Sequence, residues 1–262
     1  MNLIAATMLF ATVGTTALAQ QRTEASSPLQ APSSLSAADV QSVSPALARY
    51  AQENVVTDLW ARPQLSPRDR SIVTVAILIA RGQALDLPHY MNVALDSGVT
   101  PKELSETITH LAFYSGWPNA MTAIAAAKDV FAQRNIGSDQ LPDASPELTA
   151  LNEEGEAARQ AAVQQLLDAA SPGLDRFTTN PLFRDVWLRP DLALRDRSLV
   201  TISALMANGQ VAQLTGHLNR ALDNGLTPEQ AGEVVTQVAF YAGWPNAFSA
   251  GPVIADVLKK RQ

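Results

Sequence analysis

A pattern of apolar positions at helical spacing occurs twice in this chain, with a constant offset of 127 residues. In the later copy, residues 214–247, apolar side chains recur every three or four positions, as on the buried face of a helix. This run ends at Gly225. Thr227 then caps a second helix that has Pro228 in its first turn. The earlier copy, residues 87–120, repeats the same order of signals. The pattern predicts a duplicated helical module.

Each copy is preceded by a strongly apolar segment that follows the tetrapeptide Arg-Asp-Arg-Ser. The segment after Ser71 reads IVTVAILIA, and the segment after Ser198 reads LVTISALMA. Their length and β-branched residues would also suit a buried strand. The helical neighbours, and the lack of any other strand candidate in the sequence, favour a buried helix. We therefore predict an all-α fold of two tandem helical domains related by pseudo-symmetry.

The start of the chain has the pattern of an export signal. Residues 1–19 are small and apolar and end in Ala-Leu-Ala, which predicts a cleaved secretory signal, with a noncleaved anchor as the alternative. Residues 20–43 are rich in Ser, Ala, Pro and Gln, which is typical of a flexible leader, with one helical turn expected after Ser36. We expect a periplasmic or secreted mature protein that does not enter a membrane.

The remaining boundaries follow from the repeat and from a Gly/Pro/Asp-rich stretch between its copies. The first helical domain is predicted at residues 44–134 and the second at residues 171–262. Residues 135–170 are predicted to form a linker and a connecting helix that packs across both repeats.

The composition argues against several classes of function. The net charge is −6 and the sequence has no basic stripe, so nucleic acid is not an expected partner. The chain has no cysteine and only three histidines, none of them in an HxxxH pair. This excludes thiol catalysis and predicts no metal site. An acidic ligand would need local positive charge, which arginine rather than lysine supplies.

The arginines at the start of the apolar segments have two interpretations. Arg68 and Arg70, with Arg195 and Arg197 in the second copy, could pair with neighbouring carboxylates and stabilise the fold. They could equally hold a substrate carboxylate, which the planar guanidinium binds through two hydrogen bonds.

His217 is the main candidate for acid or base chemistry, since an unperturbed imidazole titrates near pH 6.5. A single histidine on an apolar helix face can also be a core residue. The first copy is not equivalent, because Tyr90 aligns with His217 and His89 is displaced by one residue. A displacement of one residue turns a side chain by about 100° around a helix.

A further set of residues recurs on the helix that follows. Glu106 and Glu233 could pair with arginine or take part in catalysis, and the hydroxyls of Tyr114 and Tyr241 need a partner when buried. Trp244, in the motif GWPNA, could join two helices or contact a substrate.

The motifs RDRSLVTISAL, GHLNRALDNGLTPEQ and AFYAGWPNA closely resemble the carboxymuconolactone decarboxylase family. The resemblance covers residues 60–131 and 187–258. It implies an all-helical fold, a reaction without a cofactor, and a small anionic substrate such as a carboxylated lactone that loses carbon dioxide. It also implies a homo-oligomer, for a tandem chain a trimer. Thiol peroxidases of the same fold have the motif CxxCxxxH. Gln210 and Gln213 occupy the two cysteine positions here, so the resemblance excludes thiol peroxidase activity for this chain.

The resemblance implies an enzyme, a carboxy-lyase. Because the first-repeat histidine is displaced, we expect the site in the second repeat. Arg197, helped by Arg195, would hold the anion. His217 would donate a proton to carbon, in an orientation fixed by Tyr241 and Glu233. The first-repeat counterparts would be Arg70, His89 or Tyr90, Glu106 and Tyr114. The competing interpretation is a non-catalytic helical binding or assembly module, in which these side chains do not converge on one pocket.

Overall fold

The computed structural model describes residues 35–167 and 170–261. The predicted signal and most of the predicted leader lie outside them, so both stay predictions. The described part is all-α and has no strand. Its α-helices are α1 Ala37–Val43, α2 Pro45–Tyr50, α3 Pro67–Ala80, α4 Leu87–Asp96, α5 Pro101–Ser115, α6 Trp117–Gln133, α7 Glu153–Leu167, α8 Pro172–Phe177, α9 Leu194–Ala207, α10 Val211–Asp223, α11 Pro228–Ala242 and α12 Trp244–Lys260.

The two Arg-Asp-Arg-Ser segments are helices, α3 and α9, and they form the centre of the protein. Every residue of α3 from Asp69 to Ala80 is buried, as is every residue of α9 from Asp196 to Ala207. The two helices pack against each other. Because neighbours surround them on all sides, their apolar residues do not need to be confined to one stripe. This explains why their periodicity was ambiguous.

The remaining helices exchange partners between the repeats. Helix α11 of the second repeat packs against α3 of the first, and α5 of the first repeat packs against α9 of the second. Thr100 and Thr227 cap α5 and α11, each in a capping box with the residue three positions later, Glu103 and Gln230. Each central helix is therefore covered on one face by a helix of the other repeat.

The first visible difference between the repeats is the start of α4. Helix α10 begins at Val211, three positions earlier in the repeat than α4, which begins at Leu87. Pro88 explains the difference, because proline has no N–H to bond the preceding turn and is tolerated best in the first turn of a helix. The aligned residue in α10 is Thr215.

The connecting segment lies on the second repeat, and the expectation that it crosses both repeats is wrong. Helix α7 packs against α8, and the guanidinium of Arg159 lies 4.4 Å from the ring centre of Phe183. The backbone N–H of Thr149 donates to the carbonyl of Leu188 over 2.8 Å. No comparable segment covers the first repeat among the described residues.

The start of the described chain agrees with the turn predicted after Ser36. Ser36 caps α1 and exchanges hydrogen bonds with Asp39 in a capping box. In the part of the chain that the structure describes, no helix combines the length and the apolarity that crossing a bilayer requires.

Candidate active site

The exchange of helices builds two clusters of polar and aromatic side chains, and each cluster takes residues from both repeats. We define the first cluster as Trp60, Arg62, Arg70 and Tyr90 with Glu233, Gln237 and Tyr241. We define the second cluster as Trp187, Arg189, Arg197 and His217 with Glu106, His110 and Tyr114. Each position of one cluster lies 127 residues from its counterpart in the other.

A buried ion pair is the base of the second cluster. Nη2 of Arg197 donates to Glu106 over 2.7 Å and to the carbonyl of Arg189 over 2.8 Å. Nε of Arg189 donates to the same carboxylate over 2.8 Å. Arg197 is 0% exposed and Glu106 is 1% exposed. The charge of Arg197 is therefore paired inside the protein, although its Nε and Nη1 have no partner, and its expected role in holding a substrate anion stays a prediction.

The first cluster has the same ion pair with the repeats reversed. Glu233 accepts from Arg70 over 3.0 Å and from Arg62 over 2.8 Å. Arg70 also donates through Nη1 to the amide oxygen of Gln237 over 2.8 Å. Glu233 therefore bonds two arginines of the first repeat. It does not orient His217, and the expectation that it would do so is wrong.

The outer arginines of the two motifs are also paired. Arg195 donates to Asp69 over 2.9 Å and to Asp196 over 2.7 Å. Arg68 donates to Asp196 over 2.8 Å. The bonds from Arg195 to Asp69 and from Arg68 to Asp196 cross between α3 and α9, so the structural interpretation of Arg195 fits, and its expected role in substrate binding has no support here.

His217 lies against aromatic side chains of both repeats. Its ring contacts Tyr114 edge-on, with 5.2 Å between centroids, and lies nearly parallel to Trp187 at 6.3 Å. Nε1 of Trp187 donates to the hydroxyl of Tyr114 over 2.9 Å. Tyr114 therefore takes the place beside His217 that the sequence analysis gave to Tyr241.

Tyr241 belongs to the first cluster. Its hydroxyl accepts from Nε1 of Trp60 over 2.9 Å and lies 2.8 Å from the hydroxyl of Tyr90. His89 is exposed and meets Tyr90 edge-on at 4.9 Å. The one-residue displacement thus removes His89 from the cluster interior, and Tyr90 occupies the place of His217.

The structure adds a histidine that the sequence analysis missed. His110 is fully buried, and its Nε2 lies 2.7 Å from the hydroxyl of Thr201. That hydroxyl donates to the carbonyl of Arg197, so it accepts from His110, which leaves Nδ1 without a proton or a partner. The 127-residue offset to Gln237 was the signal that could have identified this position.

Burial and nearby charge change the ionisation of the second cluster. Burial lowers the pKa of His217 to about 4, and the positive charge of Arg220 adds to the effect. Burial also holds the pKa of His110 well below its usual range, with a further contribution from Arg197. The pKa of Tyr114 is raised by burial. At neutral pH both imidazoles are therefore uncharged, and the phenol keeps its proton.

A pocket of about 400 Å³ opens beside this cluster, on the side covered by α7. Trp187, Phe183 and Leu188 supply apolar wall, and Arg220 reaches the pocket from α10. His217 is not part of the pocket wall itself: it stands one helical turn before Arg220 and directly after Gly216, and both of these residues line the pocket.

Trp244 takes part in neither cluster, so the structure gives no support to its expected contact with substrate. It is 51% exposed and stacks edge-on with Phe240 at 4.9 Å. With Phe248 it lines a separate apolar groove of about 320 Å³ on α11 and α12. Within residues 35–167 and 170–261, no three His, Asp or Glu side chains come together as metal ligands would.

The fold and the two clusters define a duplicated all-α protein whose halves complete each other's sites. The family described as the carboxymuconolactone decarboxylase family matches twice, at residues 45–129 and 172–256. The chain belongs to this family, in tandem form.

Two characterised relatives share part of the sequence. The chain is 34% identical over 84 residues to the 4-carboxymuconolactone decarboxylase of Acinetobacter baylyi, which is 32% of this chain and 63% of that protein. It is 33% identical over 66 residues to a nitrosuccinic acid decarboxylase of Metarhizium robertsii, which is 25% of this chain and 46% of that protein. The chain thus spans less than two thirds of the length of either relative.

Proposed function

We propose that the protein is a cofactor-free carboxy-lyase that decarboxylates a small carboxylated lactone or a related unsaturated acid at the second cluster. The main observation in support of this proposal is the position of His217. It is a proton-transfer group packed between Tyr114 and Trp187, beside a pocket large enough for a small organic acid. Both characterised relatives are decarboxylases by name.

The proposed step breaks one carbon–carbon bond and needs one proton. The bond between the carboxylate and the substrate breaks, carbon dioxide leaves, and the electron pair stays on the substrate as an enolate. His217 donates a proton to carbon and is later reprotonated from solvent. Because the pKa of His217 is about 4 without ligand, it carries this proton only when a bound anion offsets the positive charge beside it.

Tyr114 has a free proton for the same step. Its oxygen accepts from Trp187, and no acceptor for its own O–H occurs among the described residues. It is therefore available to donate to the oxygen on which the enolate charge develops. In the first cluster the corresponding hydroxyl of Tyr241 is occupied by Tyr90.

The test is a decarboxylation assay with 4-carboxymuconolactone, nitrosuccinic acid and related unsaturated acids. We expect His217→Ala to lower kcat by about 10²- to 10⁴-fold, the usual contribution of a general acid or base. His89→Ala is the matched control, since His89 is an exposed histidine of the other repeat, and we expect it to retain turnover. Circular dichroism verifies that both variants are folded.

Turnover that survives His217→Ala would remove His217 from the mechanism. An absence of turnover across the whole panel, in a folded wild-type protein, would contradict the lyase proposal. The non-catalytic binding or assembly module would then be the better interpretation.

We also propose that the protein self-associates. Equivalent faces of α6 and α12 expose large apolar side chains, with Trp117 and Met121 on one and Trp244 and Phe248 on the other. Exposed apolar patches that recur in this way are typical of association surfaces. Light scattering after size exclusion tests the proposal, and a monomer at all concentrations would contradict it.

A further inference from the structure

The pocket beside the second cluster has one charge that the protein does not neutralise. The guanidinium of Arg220 lies 4.9 Å from the ring centre of Phe183 and 5.1 Å from that of Trp187. Among the described residues no carboxylate forms a salt bridge with it and no hydrogen bond holds it. The pKa of Arg220 is lowered, first by burial, which is the effect of holding a cation away from water without a direct partner.

The carboxylates that line the pocket have other partners. Glu156 is 5% exposed and is held by Arg159 through two bonds of 2.7 Å. Asp223 pairs with Arg261 over 2.6 Å. After these pairs are formed, Arg220 remains as net positive charge in the pocket, and a buried Nη1 of Arg159 is also without a partner.

The rest of the lining suits an apolar body. Phe183, Trp187 and Leu188 form one wall, and Leu151 and Leu194 lie on others. Two amide oxygens are already engaged: that of Asn152 accepts from the backbone N–H of Gly155, and that of Asn219 accepts from Arg261. The volume of about 400 Å³ matches the small end of ligand pockets in proteins.

The first repeat lacks the residues that supply the charge and the apolar wall of the pocket. Val93 occupies the position of Arg220, Val56 occupies that of Phe183, and His89 occupies that of Gly216. Val56 is exposed rather than buried. The pocket is therefore not a consequence of the duplicated fold, and depends on residues particular to the second repeat.

We propose that this pocket binds a small organic carboxylate, with the carboxylate on Arg220 and the apolar body against Phe183 and Leu188. Arginine and carboxylate form charge-assisted hydrogen bonds that are stronger where water is excluded. The proposal that a carboxylate binds rests on the cavity and on the charge of Arg220, and does not depend on the proposed function. Only the assignment of this carboxylate to the substrate rests on the proposed function.

The proposal has a consequence for His217 that does not depend on turnover. Arg220 lies three residues after His217 on α10 and is one of the two causes that depress its pKa. The other ionisable groups facing His217 are Tyr114 and His110, both uncharged at neutral pH. A carboxylate on Arg220 therefore raises the pKa of His217.

The experiment compares benzoate with its neutral analogue benzamide by isothermal titration calorimetry on the full chain. We expect benzoate to bind at least about tenfold more tightly than benzamide, since a hydrogen bond to a charged group contributes that much. Arg220→Met is expected to remove this preference, and Arg220→Lys to retain part of it. Arg176→Met is the matched control, because Arg176 is an exposed arginine 3.9 Å from the ring of Phe177, and we expect it to bind benzoate as the wild type does.

A second measurement follows the imidazole resonances of His217 by NMR against pH. Benzoate is expected to raise its pKa in the wild type, and Arg220→Met is expected to raise it without ligand. Equal binding of benzoate and benzamide, or unchanged benzoate binding and an unchanged His217 pKa in Arg220→Met, would overturn the proposal. If Arg220→Met does not fold, the comparison of benzoate with benzamide in the wild type and the binding of benzoate to Arg220→Lys test the proposal.

The two proposals fail separately. Benzoate binding that requires Arg220, in a protein without decarboxylase activity, would retain the carboxylate pocket and reject the lyase. Turnover that is unchanged in Arg220→Met, with no benzoate binding, would retain the lyase and reject the pocket.

Discussion

The two clusters have the same framework but differ at the positions where proton chemistry is possible. Both have an arginine pair on a glutamate and a tryptophan bonded to a tyrosine. The first cluster has Tyr90 and Gln237 where the second has His217 and His110. The shared ion pairs therefore hold the two repeats together, and the groups that can transfer a proton at neutral pH lie where the clusters differ.

Their exposure differs as well. The side chain of Arg189 is 11% exposed and donates to the carbonyls of Asp143 and Ala144 in the linker, whereas the side chain of Arg62 is 39% exposed. Trp187 is 3% exposed, whereas Trp60 is only partly buried. The connecting segment thus removes the second cluster from water, and this lowers the dielectric in which its charges act.

The largest expected effect comes from removing the shared carboxylates. We expect Glu106→Gln to lower the free energy of unfolding by about 3–5 kcal/mol, because it leaves the buried charge of Arg197 uncompensated. Glu233→Gln should cost less, since Arg62 is better exposed and Arg70 keeps its bond to Gln237. Urea unfolding of both variants measures the difference.

The control for this pair is Asp256→Asn, which breaks an exposed pair with Lys260 and should cost less than about 1 kcal/mol. If Glu106→Gln costs no more than this control, the buried pair does not hold the halves together. If Glu233→Gln costs more than Glu106→Gln, burial by the linker is not what separates the clusters.

The second prediction concerns stability against pH. The folded-state pKa of His217 and of His110 lies below the unfolded value near 6.5. Above about pH 6.5 both histidines are neutral in the folded and the unfolded state, and the free energy of unfolding is at its full value. As the pH falls towards the folded pKa, only the unfolded state takes up the protons, so the free energy of unfolding decreases. For His217, with a pKa of about 4, the loss is roughly 3 kcal/mol at one pKa unit per 1.4 kcal/mol.

The double variant His110→Gln/His217→Tyr places first-cluster residues in the second cluster and should flatten this dependence between pH 7 and pH 5. Thermal unfolding of variant and wild type at each pH measures it, and the groups that the two proteins share cancel in the comparison. An equal pH slope in both proteins would show that the histidines are not the cause.

The sequence alone was sufficient for the fold but not for the membership of the clusters. Helical spacing, capping boxes and the 127-residue offset predicted the duplicated all-α chain. Helical spacing and capping depend on residues within a few turns of one another, and the offset only compares the sequence with itself, so none of these signals depends on how the repeats pack. The pairing of Tyr114 with His217 instead depends on how α5 of one repeat packs on α9 of the other. Nothing in the spacing of either helix encodes that exchange, so the sequence analysis took both partners from the same repeat.

Arg220 was missed for a related reason. On α10 it is a polar residue between the apolar positions Leu218 and Ala221, and this pattern is typical of a solvated face. It becomes half-buried only because Phe183 and α7 cover it. His110 was missed because it lies on the buried side of α5, where only the other repeat provides its partner Thr201.

The third prediction exchanges the buried residues His110 and Gln237, which occupy equivalent positions but differ in hydrogen bonding. His110→Gln should stabilise the protein by about 1.5 kcal/mol at pH 7.5, because the amide oxygen can accept from Nη1 of Arg197, which has no partner. Gln237→His should destabilise by a similar amount, since Arg70 loses the acceptor it now has. Chemical unfolding of the two variants measures both. Changes of the same sign would contradict the interpretation.

The smallest expected difference lies at the start of the two central helices. Ser66 accepts from the backbone N–H of Asp69 over 3.1 Å and caps α3, whereas Ala193 holds the same extended backbone before α9 without a side-chain acceptor. Ala193→Ser should therefore stabilise the protein by about 1 kcal/mol, and Ser66→Ala should cost about as much. Ser66→Gly is the control and should cost only a few tenths, because glycine leaves the helix end open to water. A loss in Ser66→Ala without a gain in Ala193→Ser would mean that the second repeat satisfies the N–H of Asp196 by another route, and the two helix starts would then differ in more than one side chain.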